Sequence, residues 1–290
     1  MEILQKLDEL LHSNSKSIAL VAPSFVADFE YPQFINQLRH LGFDKIVELT
    51  FGAKLVNLSY YQIIKDNKEK TWISSPCPTV VQLIKRQFPH LIDNLVPVHS
   101  PMGVMSQICK KFFPNHKQVF IGPCITKKTE AIEIGGIELA LTFKEINQYI
   151  LEKNPSNVSD NDHTFDKFYN DYTKIYPLSG GLSHTLKYNQ ILNDDQILIM
   201  EGLKELSEVF SQFKDGKHKN YVLLDVLACQ GGCIGGPGMV GNSDLQARKE
   251  KVLKYRQWAS NNEKNLGRTG KKVHAEGIDP SRKFVNNNTI

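Results

Sequence analysis

Eight short apolar runs alternate with longer amphipathic stretches along this chain, and that rhythm restricts the fold more than any other feature. The runs are SIALVAP (17–23), KIVELT (45–50), TWISS (71–75), VPVHS (96–100), QVFIGP (118–123), IELALT (137–142), QILIM (196–200) and YVLLDVLA (221–228). Between them, FVADFEYPQFINQLRHLG, AKLVNLSYYQIIKDN and VVQLIKRQFPHLI place apolar residues three and four apart, the period of an amphipathic helix. Strands separated by helices pair in parallel, with helices over the sheet faces. The expected class is therefore α/β with mostly parallel sheets covered by helices. Ser100-Pro101 predicts an N-cap followed by proline at the first helical position.

Four of the five cysteines sit directly after strand-like runs: Cys77, Cys124, Cys229 and Cys233. Ligands of open α/β sheets gather beyond the carboxyl ends of the strands. Three distant segments thus point four thiols toward one place, which suits an iron–sulfur cubane, a cluster held by soft thiolate ligands. Cys77 precedes Pro78 and a helix-like run, and a helix N-terminus stabilises a thiolate. Gly231, Gly232, Gly235 and Gly236 flank the last two cysteines and let backbone wrap closely around a bulky group. Structural zinc sites use two cysteine or histidine pairs. Here there is one cysteine pair, and none of the nine histidines falls in a paired spacing. Cys109 lies in the middle of the helix-like SQICKKFF and reads as structural.

Two further features lie at the same rim. Lys127 follows Cys124 by three residues; it is either a solvated surface lysine or a donor to an anionic metal ligand. Pro23-Ser24 ends the first strand. GPGMVG (236–241) formally matches a dinucleotide fingerprint, but it does not lead from a strand into a helix and carries little weight.

The net charge of +4 is unevenly placed. Residues 241–290 hold eleven Lys/Arg against five Asp/Glu, a net +6, whereas the first 240 hold 24 against 26, a net −2. That balance argues against a nucleic-acid-binding core. No apolar run reaches the length of a membrane span. MEILQKLDELLHSNSKS reads as an amphipathic helix rather than an export signal, so the expected compartment is the reducing cytoplasm, where an odd set of five cysteines serves metal or redox roles. The polar stretch 152–172 is expected to be a long surface loop, ARKEKVLKYRQWA (247–259) a helix, and the remainder after Ser260 weakly structured.

The motifs SSPCP (74–78), PCITKK (123–128), SGG (179–181) and LACQGGCIGGPG (227–238), in this order, resemble the signature loops of iron-only (FeFe) hydrogenases. VAPSF, FGA and LTFKEI resemble that family's connecting segments. The resemblance implies an H-cluster domain over 17–240, with lobes roughly 17–122 and 123–240 and the iron–sulfur site in the cleft between them. An N-terminal helix (1–16) and a basic helix with a flexible tail (241–290) would flank it. It further implies that Cys77, Cys124, Cys229 and Cys233 hold a 4Fe–4S cubane, Cys233 bridging to a diiron subcluster. Lys127 would then hydrogen-bond a cyanide of that unit, Pro23 and Ser24 would line its pocket, and the activity would be reversible interconversion of protons, electrons and hydrogen.

The departures from the family pattern concern protons. Pro76 stands where active members carry a relay cysteine, Ile63 and Val96 fall where an acid and a serine are expected, and Met102 and Gly122 replace pocket residues. Only Glu130 remains of the path, so Lys127 and Glu130 are the candidate catalytic residues. Lost proton transfer costs about 10²–10⁴ in rate. The resemblance thus leaves three readings: a slow hydrogenase, a hydrogen or redox sensor read by a signalling partner, or a cubane-only scaffold or electron carrier. With every cysteine of the chain accounted for, electrons are expected to come from a ferredoxin-like or other electron-transfer protein.

Overall fold

The computed structural model describes residues 2–154, 164–168, 170, 172–186, 191–213, 220–242, 244–262 and 270–285. The chain opens with α1 (Glu2–His12), whose Leu4 and Leu7 are buried, and β1 (Lys16–Val21). Then come α2 (Gln33–His40), β2 (Lys45–Glu48), α3 (Thr50–Asp66) and the short β3 (Trp72–Ile73). Next are α4 (Pro78–Gln87), α5 (Pro101–Phe112), β4 (His116–Gly122), α6 (Lys127–Ile134), β5 (Leu139–Thr142) and α7 (Phe143–Lys153). The last third supplies α8 (Gly181–Leu186), β6 (Ile197–Glu201), α9 (Leu203–Gln212), β7 (Leu223–Leu227), α10 (Leu245–Asn262) and α11 (Lys272–Ala275).

All strand pairings within the two sheets are parallel, in the orders β2-β1-β4-β5 and β3-β7-β6. The inner strands are buried along nearly their whole length, because helices cover both faces and leave no solvated side to alternate toward. Local signals place several helices. The Ser100 hydroxyl accepts the Gly103 amide with Pro101 in the first turn of α5, and Thr142 with Glu145 forms a reciprocal capping box on α7. Pro89 ends α4, since the residue before a proline is pushed out of the helical region.

Four expectations need correction. A cut near residue 122 does not separate the sheets, because β3, from the first half, joins the second sheet and β5, from the second half, joins the first. Residues 96–100 form no strand; Val98 makes only an isolated antiparallel bridge to Ser281. Of the proposed loop 152–172, residues 155–163, 169 and 171 lie outside the described residues, but Phe165 and Phe168 are core residues and Asp166 binds Arg39, Lys45 and the Ile46 amide. The stretch beyond Ser260 continues α10 to Asn262, and residues 270–285 form an ordered strap across α5. Residues 263–269 and 286–290 lie outside the described residues. The strap holds because His274 packs edge-on against Phe51, Phe112 and Phe168.

Between β2 and α10 the fold buries a charge pair completely. Lys174 Nζ lies 2.5 Å from Glu48 Oε2, both side chains are inaccessible to water, and Nζ also donates to the Tyr255 hydroxyl at 3.0 Å. Removing one partner strands a charge in the core, so Lys174→Met should destabilise the protein by about 3–5 kcal/mol, and Lys174→Met with Glu48→Leu should recover most of that. Urea unfolding of the three proteins checks this; a single variant as stable as the parent would refute it.

Candidate metal centre

Each cysteine leaves the carboxyl end of a strand. Cys77 follows β3 by a short turn and is the N-cap of α4, Cys124 follows β4 after Pro123, and Cys229 and Cys233 follow β7. The loops that carry them are tied to one another. The Cys233 amide donates to Pro177 O at 2.7 Å, and the Gly238 amide donates to Pro123 O at 2.9 Å. Thr79 and Thr126, two residues beyond Cys77 and Cys124, share a hydroxyl hydrogen bond of 2.8 Å. Gly232 sits at φ +80°, and a Cβ there would lie 2.4 Å from Pro177 O. The glycines of this loop are therefore needed where backbone meets backbone, rather than only to wrap a ligand.

Together the loops enclose a cleft of about 970 Å³, counting its open mouth, whose wall contains all four cysteines together with Pro23, Ser24 and Lys127. Cys109 is fully buried in α5, away from this wall. All five cysteines are free thiols. Among the described residues, no three His, Cys, Asp or Glu side chains approach closely enough to share one metal ion. The four thiols border one cleft, and soft thiolate donors of this kind suit an iron–sulfur cluster.

Burial raises the Cys77 thiol, and the charge of Cys124 adds to the rise; the Val80 and Ala228 amides and the Lys127 ammonium oppose it. Cys229 is pushed up to about 11 by burial, then by Cys77 and Cys124. Cys233 is held well above the usual thiol range by burial and by its three neighbours. Cys77, Cys229 and Cys233 are thus held as neutral thiols near neutral pH, and a metal cluster would displace their protons on binding.

The rest of the wall sets polar and apolar groups beside the thiols. The Ser24 hydroxyl is fully buried and the Tyr176 hydroxyl oxygen is inaccessible, and neither has a hydrogen-bond partner among the described residues. Both residues line the cleft, beside an apolar surface that includes Ala22, Leu49, Ala53, Met102 and Leu182. Buried hydroxyls without partners are costly, so they mark places where a bound group would supply acceptors. Ser24 was legible from its strand end. Tyr176 and the cleft-lining Asp225 were not, although a single acid inside the apolar run YVLLDVLA is an available signal. Asp225 accepts from the amide and the hydroxyl of Ser183, and burial raises its carboxyl.

Lys127 opens α6 and reaches across the cleft rim. Its Nζ donates to Pro76 O at 3.2 Å and to Glu130 Oε2 at 2.5 Å. Glu130 is not part of the cleft wall; its side chain is 1% exposed and its second oxygen accepts Arg282 at 3.0 Å. Pro76 and Met102 do line the cleft, Ile63 and Val96 pack in the core, and a Cβ on Gly122 would lie 2.4 Å from the ring of Phe120. None of those positions offers an acid–base group.

Replacing any one of Cys77, Cys124, Cys229 or Cys233 by serine should cut the iron taken up on anaerobic reconstitution to less than half, from about four per chain in the parent. Cys109→Ala should leave it unchanged. Iron and sulfide analysis with the absorbance near the visible thiolate-to-iron bands reads the outcome, and full loading of a Cys233→Ser protein would contradict the assignment.

The chain resembles known proteins over most of its length. Iron hydrogenase 1 of Clostridium pasteurianum is 26% identical over 270 residues, covering 76% of this chain and 47% of that protein. The cytosolic Fe-S cluster assembly factor NAR1 of Yarrowia lipolytica is 21% identical, covering 72% and 60%, and the nuclear prelamin A recognition factor of Mus musculus is 24% identical, covering 71% and 57%. The chain spans about half the length of the hydrogenase relatives it matches. Among solved structures, the FeFe-hydrogenase HydA1 of Chlamydomonas reinhardtii superposes with a TM-score of 0.69 at 16% identity, covering 98% of this chain and 99% of that one, which shows a shared fold. The sequence model of the iron-only hydrogenase large subunit, C-terminal domain, matches residues 15–237, and the chain belongs to that family.

Proposed function

We propose that this domain binds an H-cluster-type cofactor, with a 4Fe–4S cubane on Cys77, Cys124, Cys229 and Cys233 and a diiron unit in the adjoining cleft. On this reading it is a slow hydrogenase-type oxidoreductase, interconverting protons, electrons and hydrogen. One observation carries the reading: four thiols, Lys127 and two buried hydroxyls without partners among the described residues line a single cleft. When bound, the cofactor supplies the redox chemistry.

The chain's own part is to hold and shield. The four thiolates would anchor the cubane, and the Val80 and Ala228 amides would lower the charge on Cys77 sulfur. Lys127 has three ammonium N–H groups, of which Pro76 O and Glu130 take two, leaving one for an anionic ligand in the cleft. Ser24 and Tyr176 hydroxyls would donate to the same group, and the apolar wall excludes water. Pro76 offers only a carbonyl that Lys127 already occupies, so the chain provides no side chain there to carry a proton.

That last feature favours a second reading, a hydrogen or redox sensor whose cluster state is read by a signalling partner. A third reading, a cubane-only scaffold, draws on likeness to NAR1, named as an assembly factor. In all three, electrons would be exchanged with a ferredoxin-like or other electron-transfer protein. We place the domain in the reducing cytoplasm, a reading supported by the five free thiols. Among the described residues no helix is long and apolar enough to cross a membrane.

Reconstitution with iron and sulfide, followed by a synthetic diiron precursor, tests the choice. The proposal expects about six irons per chain and infrared bands of bound CO and cyanide; about four irons without those bands would leave the scaffold reading. Pro76→Cys should raise hydrogen evolution by up to about 10²-fold over a slow parent. A parent that already turns over rapidly would remove the motive for the sensor reading.

A further inference from the structure

The strap 270–285 reaches the metal centre. Its backbone is pinned beside α5 by the His99 amide donating to Pro280 O at 2.7 Å and the Arg282 amide donating to Pro97 O at 2.9 Å. Asp279 N–H adds a hydrogen bond to Gln107 Oε1 at 3.2 Å. These contacts deliver the Arg282 side chain, only 10% exposed, between two carboxylates of α6. One guanidinium nitrogen lies 3.0 Å from Glu130 Oε1 and the other 2.6 Å from Glu133 Oε2. Glu130 Oε2 in turn holds Lys127 Nζ, which is fixed on Pro76 O beside Cys77.

We propose that Arg282 is a positioning residue for the metal centre: by clasping Glu130 and Glu133 it locks Lys127 at the rim of the cleft and sets the charge beside the cluster. The inference rests on the proposed cubane. Glu130 alone faces two cations, and Glu133 brings the set to two positive and two negative charges. With 1% exposure at Glu130, 10% at Arg282 and 12% at Lys127, water screens these three charges poorly, whereas Glu133 is 38% exposed and acts more weakly. Lys127 is also felt at the thiols, where its charge opposes the upward shifts of Cys77 and Cys233. Reducing a cubane adds negative charge, so any change in the net charge of the clasp alters how easily the cluster accepts an electron. Losing Arg282 leaves the set at −1 and disfavours reduction, and losing the Glu133 charge leaves it at +1 and favours reduction.

The test uses the full chain with a reconstituted cubane and EPR-monitored redox titration. Arg282→Gln should load as much iron as the parent but shift the cluster midpoint to more negative potential. Arg282→Lys, which keeps the charge, should recover most of that shift, and Glu133→Gln should move the midpoint the other way. In a crystal structure of the unloaded Arg282→Gln protein, Lys127 Nζ should lie beyond hydrogen-bond distance of Pro76 O, a readout independent of the cluster. If Arg282→Gln does not fold, Arg282→Lys and Glu133→Gln decide: the first should stay near the parent's midpoint and the second should move to more positive potential. Fully loaded variants with the parent's midpoint and an unmoved Lys127 would overturn the positioning role. A parent that takes up no cubane would instead overturn the proposed function, and with it the influence on the cluster.

Discussion

The structure is organised around one electrostatic problem, the gathering of four thiol groups in a cleft with little water. Burial and mutual repulsion raise three of them, most strongly Cys233. A flexible arrangement would relieve the repulsion by moving the thiols apart. The loops here cannot do so, because Pro177, Pro123 and the Thr79–Thr126 pair tie them to one another. The folded chain therefore holds its thiols protonated and close together, where a metal cluster would displace the protons, and hydrogen bonds between loops distant in sequence fix the arrangement.

The parallel topology makes that geometry available. β1, β3, β4 and β7 all end at the cleft, and the turns that follow them contribute to the wall. The two sheets exchange strands between the halves of the chain, which places the cysteines of early and late segments beside one another. A tidy split into an N-terminal and a C-terminal lobe would need the loops to meet across an interface of two separate units.

Charge is handled by pairing throughout. Lys174 and Glu48 neutralise each other in the core, and Lys127, Glu130, Arg282 and Glu133 do so at the rim. The rim set explains why Glu130, the one acid retained along the expected proton path, is not presented to the cleft: both of its oxygens are occupied by cations. Pro76 adds to the cleft wall and Ile63 and Val96 pack in the core, and none of the three carries an acid–base group.

Strand order along the chain, the α/β class, the N-cap at Ser100 and the placement of the four cysteines at strand ends were legible in the sequence, because each depends on periodicity or on residues within a few positions. The lobes were not, since strand pairing is a contact between remote segments. Nor was the strap: GKKVHAEGIDPSRK looks like a solvated tail by composition, yet His274 finds three rings and Arg282 two carboxylates that lie far away in sequence. The amino-acid sequence by itself determined where the thiols fall along the chain and that Pro76, Ile63 and Val96 carry no acid–base group. Only the tertiary structure decided that those thiols share one cleft, that two hydroxyls face it without partners, and that Glu130 is committed to Lys127 and Arg282. The reason is physical: ligand identity is a property of single residues, whereas convergence, burial and ion pairing arise only when distant segments pack together.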